Sequence, residues 1–124
     1  DLSHQQLDDI IDYCLRSGID GIVAGNTTRS RDGITSIPKE KIEAIGNGGM
    51  SGAPLYSKNL ELVKYVHAKS EGKLPIIGVG GIMSPEQAKE MMDAGASLVE
   101  IYSGFIYEGP ALIKNINKHL ENTL

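Results

Sequence analysis

The sequence predicts an α/β fold built from parallel βαβ units, and three observations carry that prediction. Four segments with helical apolar spacing alternate with three apolar runs, in the order α, β, α, β, α, β, α. The runs are short and aliphatic. A helix separates each from the next, which is how parallel strands are connected. The 124 residues suffice for one small domain. A complete (β/α)8 barrel takes about 250, so a barrel reading makes this chain a part of one.

Ser3 reads as a helix N-cap, with Gln6 completing a capping box and Leu2 and Leu7 spaced as a hydrophobic staple. Leu7, Ile10, Ile11, Cys14 and Leu15 then mark one buried helical stripe, and Gly18 ends it as a left-handed cap. Residues 19–24 read as the first strand, broken by Gly25-Asn26-Thr27-Thr28. From residue 29 to about 56 the chain reads as one long connection, a length that often signals function. A second helix is expected over residues 57–70, with Leu60, Val63 and His67 on one stripe and Leu62 and Val66 beside it; Gly72 closes it.

Residues 74–79 read as the second strand, whose proline sits near its start, and Gly80-Gly81 end it. Ser84-Pro85-Glu86-Gln87 opens a third helix with an N-cap serine, a first-turn proline and a capping-box glutamine. Ala88, Met91 and Met92 are expected to face inward, with Gly95 as the cap. Residues 97–102 form the third expected strand, ending at Ser103-Gly104. The stretch Gly104 to Tyr107 suits a short extra helix. A last helix starts near Pro110 and carries Leu112, Ile113, Ile116 and Leu120.

Composition excludes several function classes. Hydrophobic residues at 40% and charged residues at 23% fit a soluble globular protein rather than a disordered one. The net charge of −4 is spread among interspersed acids and bases. No basic block suggests nucleic acid, and no apolar run is long enough for a bilayer. The start Asp1-Leu2-Ser3-His4 has no basic-then-apolar character, so no secretory leader is expected. One cysteine allows no internal disulfide and no metal cluster. Cys14 lies on the apolar stripe and reads as a small core residue. His4, His67 and His119 lie far from any strand end, so none suits a catalytic base.

Ligands of parallel α/β folds sit at the carboxyl ends of the strands. All three ends are polar or glycine-rich here. Gly80-Gly81 and Ser103-Gly104 suit a phosphate, since glycine lets backbone N–H groups approach an anion and serine adds a donor. Glycines in that position also serve simply as tight turns. Two such ends on neighbouring strands favour the anion. Asn26 offers both amide donors and an acceptor to a planar ligand, or an Asx turn that merely ends the strand. Asn26-Thr27-Thr28 also matches a glycosylation sequon, which carries little weight at a strand end.

Four ordered blocks resemble the dihydroorotate dehydrogenase family: residues 20–28 (DGIVAGNTT), 48–55 (GGMSGAPL), 74–82 (LPIIGVGGI) and 95–105 (GASLVEIYSGF). The ending Ile101-Tyr102-Ser103-Gly104-Phe105 resembles the quinone-dependent class more than the soluble class, which tends to have a glycine and a threonine there. The resemblance implies that residues 1–124 are the C-terminal part, about strands six to eight, of a single FMN-binding (β/α)8 barrel domain. It implies that Asn26 and Thr27 bind dihydroorotate or orotate. It implies FMN contacts at Gly25, Gly52, Gly81, Tyr102 and Ser103, supported by Gly80 and Gly104, with Gly81, Tyr102 and Ser103 near the phosphate. The family usually has threonine or serine at Gly25 and leucine at Met50.

The family's serine base, its FMN-contacting lysines and its quinone tunnel are expected upstream. The whole enzyme would oxidise dihydroorotate in pyrimidine synthesis, with quinone as acceptor. It would lie peripherally on a bacterial inner membrane or in mitochondria. This segment alone is expected to be inactive and to self-associate. Two further readings remain at this point: another FMN- or phosphate-binding barrel enzyme, and an inactive structural fragment.

Overall fold

The computed structural model describes residues 1–123 and keeps the expected alternation. Helix α1 spans His4–Ser17. Its capping box forms as the sequence predicts: Gln6 N donates to Ser3 Oγ at 3.3 Å, and Ser3 N donates to Gln6 Oε1 at 2.9 Å. Gly18 closes the helix in the left-handed region. Strands β1 (Ile22–Ala24), β2 (Ile76–Val79) and β3 (Leu98–Glu100) form one parallel sheet in the order β1-β2-β3. Each is shorter than the apolar run that announced it. Ile19 is 45% exposed, so the run extends beyond the paired backbone.

The register divides the sheet into two unlike faces. Ile22 pairs with Ile76, and Ala24 with Gly78, which pairs in turn with Val99. Successive side chains alternate across a strand, so these residues share one face. That face lies under α3 (Tyr56–Lys69), α4 (Pro85–Asp93) and α6 (Pro110–Thr123). Ala24, Ile76, Val63, Val66, Met91, Leu112 and Ile116 make one buried core there. A fully buried Ile, Val or Met stabilises by about 1.5–3 kcal/mol. On the opposite face Val23 pairs with Ile77, and Ile77 with Leu98. Val23 is 51% exposed and Leu98 61%.

Gly78 sets the distance between β2 and α4. A Cβ there would stand 2.6 Å from Met91 Cγ, so only glycine lets Met91 reach the sheet. Helix α1 packs at the margin of the core against α3. Tyr65 donates to Asp8 Oδ1 at 2.6 Å, and Lys69 Nζ to Oδ2 at 3.2 Å. The Tyr65 hydrogen bond, helped by Lys69, holds the Asp8 carboxyl below its ordinary range.

Several expectations need correction. The connection over residues 29–56 is not irregular throughout. It contains α2 (Lys39–Ile45), an antiparallel bridge between Thr28 and Met50, and a 3-10 turn at Ala53–Leu55. Helix α2 buries no residue and leaves Ile45 71% exposed, so it has no core-facing stripe to read. The second expected helix starts at Tyr56 rather than Ser57. His67 is exposed, and its ring lies over Gly95 at the rim of the core. On α1 only Ile11 and Cys14 are buried, a narrower stripe than the sequence spacing suggests, as the helix lies at the margin of the core. Leu2, the expected staple residue, is 55% exposed. Ile113 on α6 is 44% exposed, while Leu112 and Ile116 carry the packing. In α4 Ser84 accepts from Gln87 N at 3.3 Å, but Gln87 Oε1 accepts from Met83 N rather than Ser84 N. The helix ends at Asp93 with Ala94 as its C-cap, so the expected cap residue Gly95 lies one residue beyond.

Gly78→Ala is expected to destabilise the protein by about 1–3 kcal/mol through overpacking against Met91. Gly48→Ala, where a Cβ meets nothing within 4 Å, is the control and is expected to be near neutral. Urea unfolding midpoints compare the two, and equal midpoints would contradict the packing described for β2 and α4.

Candidate functional site

A cleft of about 520 Å³ opens at the carboxyl ends of the three strands. The end of β1 contributes Gly25, Asn26 and Thr27. The loop before α3 contributes Ser51, Gly52 and Leu55. The turn after β2 contributes Gly80, Gly81 and Ile82. The end of β3 contributes Glu100, Tyr102, Ser103 and Gly104, the last two opening the short helix α5 (Ser103–Glu108). All nine candidate residues from the sequence therefore line one cavity.

Close backbone contact builds its floor. Gly81 has φ +81°, and a Cβ on it would stand 2.6 Å from Tyr56 Cα and nearer still to Tyr56 N. A Cβ at Gly104 would collide with the Ile82 carbonyl, so α5 starts directly against the turn after β2. Tyr56 fixes that turn from the other side. Its hydroxyl donates to Glu90 Oε2 at 2.6 Å and to Gln87 O at 3.1 Å, pinning α3 to α4. Burial, then the Glu90 carboxylate, raises the phenol far above its ordinary pKa. Behind Gly80 stands Asn59, 3% exposed, whose Nδ2 has no hydrogen-bond partner among the described residues.

The loop over the cleft is held at both ends. Thr28 N donates to Met50 O at 3.1 Å, and Met50 N returns to Thr28 O at 2.8 Å. Arg31 donates to Thr28 O at 3.1 Å and also to Gly48 O. Gly49 packs on the Thr27 side chain with no room for a Cβ. Gly52 is buried, with the Ser103 side chain beside it, and Ser103 Oγ donates to Ser51 Oγ at 3.2 Å. Asn26 is exposed, and its Oδ1 accepts from the adjacent Thr27 N at 2.7 Å, one residue short of an Asx turn.

Ser51, Leu55 and Glu100 escaped the sequence reading. Ser51 stood in a conspicuous glycine loop but without a partner in sequence. Glu100 could have been found from its two-residue spacing to Leu98, which puts both on the open face. Among the described residues no His, Cys, Asp and Glu gather in a metal-binding group. None of the three histidines lines the cleft, and Cys14 is buried in the core at 6% exposure.

The description dihydroorotate dehydrogenase belongs to the family model that matches residues 1–124, the whole of the chain. The chain belongs to the dihydroorotate dehydrogenase family. It is 48% identical over 120 residues to a dihydroorotate dehydrogenase (quinone) of Christiangramia forsetii, covering 97% of this chain and 34% of that relative. It is 45% identical over 114 residues to a protein of the same name in Salinispora arenicola, covering 92% and 33%. The crystal structure of a ligand-free DHODH from Eimeria tenella is similar with a TM-score of 0.87 at 34% identity, over 98% of this chain and 33% of that one. A DHODH from the same organism in complex with ferulenol gives 0.87 at 33% identity, over 98% and 31%. The chain thus spans about a third of the length of the relatives it matches.

Gly25, where the resemblance leads to an expected threonine or serine, sits in tight surroundings. It has φ +141°, and a Cβ would run into the Val79 carbonyl and lie 2.9 Å from Val79 Cγ1. The end of β1 therefore lies too close to β2 to admit a side chain at this position. Gly25→Thr is expected to cost about 1–3 kcal/mol in backbone strain, read as a lowered urea midpoint of the full-length protein. An unchanged midpoint would mean that β1 ends differently.

Proposed function

We propose that this chain is the C-terminal part, about strands six to eight, of a single FMN-binding (β/α)8 barrel domain. In that barrel it forms the phosphate end of the flavin site and one side of the substrate site of a quinone-dependent dihydroorotate dehydrogenase. The observation that carries this reading is the convergence of all nine candidate residues on one cleft at three parallel strand ends. Family membership removes the support for an unrelated phosphate-binding barrel.

The residues present fit a flavin phosphate. The Gly80-Gly81 turn brings backbone to the cleft while packing closely on Asn59 and Tyr56, Gly52 lies beside the Ser103 side chain, and Ser103 adds a hydroxyl to the lining. Gly25, Gly52, Gly80, Gly81, Tyr102, Ser103 and Gly104 would hold FMN. Asn26 and Thr27 would bind dihydroorotate or orotate, the Asn26 amide donating while its Oδ1 stays turned to Thr27 N. Bound FMN supplies two-electron acceptance from dihydroorotate and return of those electrons to a quinone, a step of pyrimidine synthesis. The base and the quinone contacts belong to the rest of the protein. No helix among the described residues is long and apolar enough to cross a membrane. Peripheral membrane attachment, on a bacterial inner membrane or in mitochondria, would come from that remaining part.

Two variants of the full-length protein separate the two halves of the reading. Ser103→Asp puts a carboxylate where the phosphate should lie. Like charges about 4 Å apart repel by roughly 4 kcal/mol at an effective dielectric of 20, so purified protein should lose its flavin. Asn26→Ala should keep its flavin while orotate affinity falls roughly five- to over a hundredfold, as for a lost buried hydrogen bond of about 1–3 kcal/mol. Full flavin occupancy in the first, or an unaltered orotate titration in the second, would refute that assignment.

The isolated chain is expected to behave as an inactive fragment. Val23 and Leu98 stand exposed on the open face, and β1 and β3 have free edges. Light scattering should report self-association, and a dye-reduction assay with added FMN and dihydroorotate should report no turnover. A monodisperse active monomer would overturn this part.

A further inference from the structure

Ser51 is tied to the site through one contact, the hydrogen bond from Ser103 Oγ to Ser51 Oγ at 3.2 Å. Its backbone is unusually well fixed for a loop residue. The Thr28–Met50 bridge holds the residue before it, and Leu55 N donates to Gly52 O at 2.9 Å just after it. Gly52, buried beside the Ser103 side chain, brings the two segments together. Both serines line the cleft.

We propose that Ser51 is a positioning residue: it orients the Ser103 hydroxyl toward the phosphate of the flavin. The proposal rests on the reading of Ser103 as a phosphate contact. A serine hydroxyl has one proton and two acceptor sites, and left alone it rotates. A phosphate accepts only, so the Ser103 proton must turn to it when FMN binds. The Ser103–Ser51 bond then reverses. Ser51 donates to Ser103 Oγ, and Ser103 donates to the phosphate, in a chain where each bond polarises the next. Ser51 reaches the phosphate through Ser103 and contributes nothing when Ser103 lacks its hydroxyl.

The test is a double-mutant cycle in the full-length enzyme, stripped of flavin and titrated by fluorescence with FMN and, separately, with riboflavin, which has no phosphate. Ser51→Ala is expected to weaken FMN roughly two- to tenfold, the range for one hydrogen bond. Riboflavin binding should not change, and Ser51→Thr should restore FMN affinity. In a Ser103→Ala background the Ser51→Ala effect should vanish. Additive losses, or an equal loss of riboflavin affinity, would overturn the positioning role. If Ser103→Ala weakens FMN while Ser51→Ala does not, the inference fails and the phosphate reading stands. If Ser103→Ala leaves FMN affinity unchanged, both fail.

Discussion

Backbone contact at the strand ends is the constraint on which the rest of this structure depends. Gly81 lies against the Tyr56 backbone, Gly104 against the Ile82 carbonyl, and Gly25 against the Val79 carbonyl. Each pair joins segments distant in sequence, and each fails with a side chain in place. Because three contacts meet at one end of the sheet, glycine backbone forms part of the cleft wall beside larger residues such as Leu55, Glu100 and Tyr102. Tyr56 adds a clamp from outside through Glu90 and Gln87. The cleft is therefore a consequence of how the βα units join, and Ser51, Asn26 and Ser103 are carried into it by that joining.

The two faces of the sheet are unlike: one packs a core and the other stands open. Below, Ile76, Val63 and Met91 are fully buried, and Gly78 lets α4 settle on β2. Above, Val23, Ile77 and Leu98 form a level row with nothing over the outer two. Branched aliphatic side chains of this kind are the ones that fill the interior of (β/α)8 barrels. The relatives are about three times as long as this chain.

Much of this was readable in the sequence, for identifiable reasons. The parallel order followed from short aliphatic runs alternating with helices. The cap at Ser3 and the N-cap at Ser84 were visible because capping needs particular residues at fixed spacing. Of the residues that line the cleft, Gly80, Gly81, Ser103 and Gly104 stood out as glycine and serine at strand ends, whereas Gly52, Thr27 and Tyr102 were picked out only by the family resemblance. What stayed hidden depends on tertiary context. Helix α2 lacks a buried stripe, so periodicity could not announce it. His67 follows the helical spacing of Leu60 and Val63, yet it reaches only the rim of the core. Ser51 gains meaning only from Ser103, 52 residues away in the chain. The collision that suits glycine to position 25 involves a carbonyl on the neighbouring strand.

A crystal structure of the full-length protein with FMN measures the central claim directly, through the distances from the flavin phosphate to this cleft. The account predicts phosphate oxygens within about 3.2 Å of Ser103 Oγ and of backbone N–H groups in the Gly80-Gly81 turn. A flavin phosphate bound elsewhere, or a cleft filled by side chains from the rest of the protein, would contradict it.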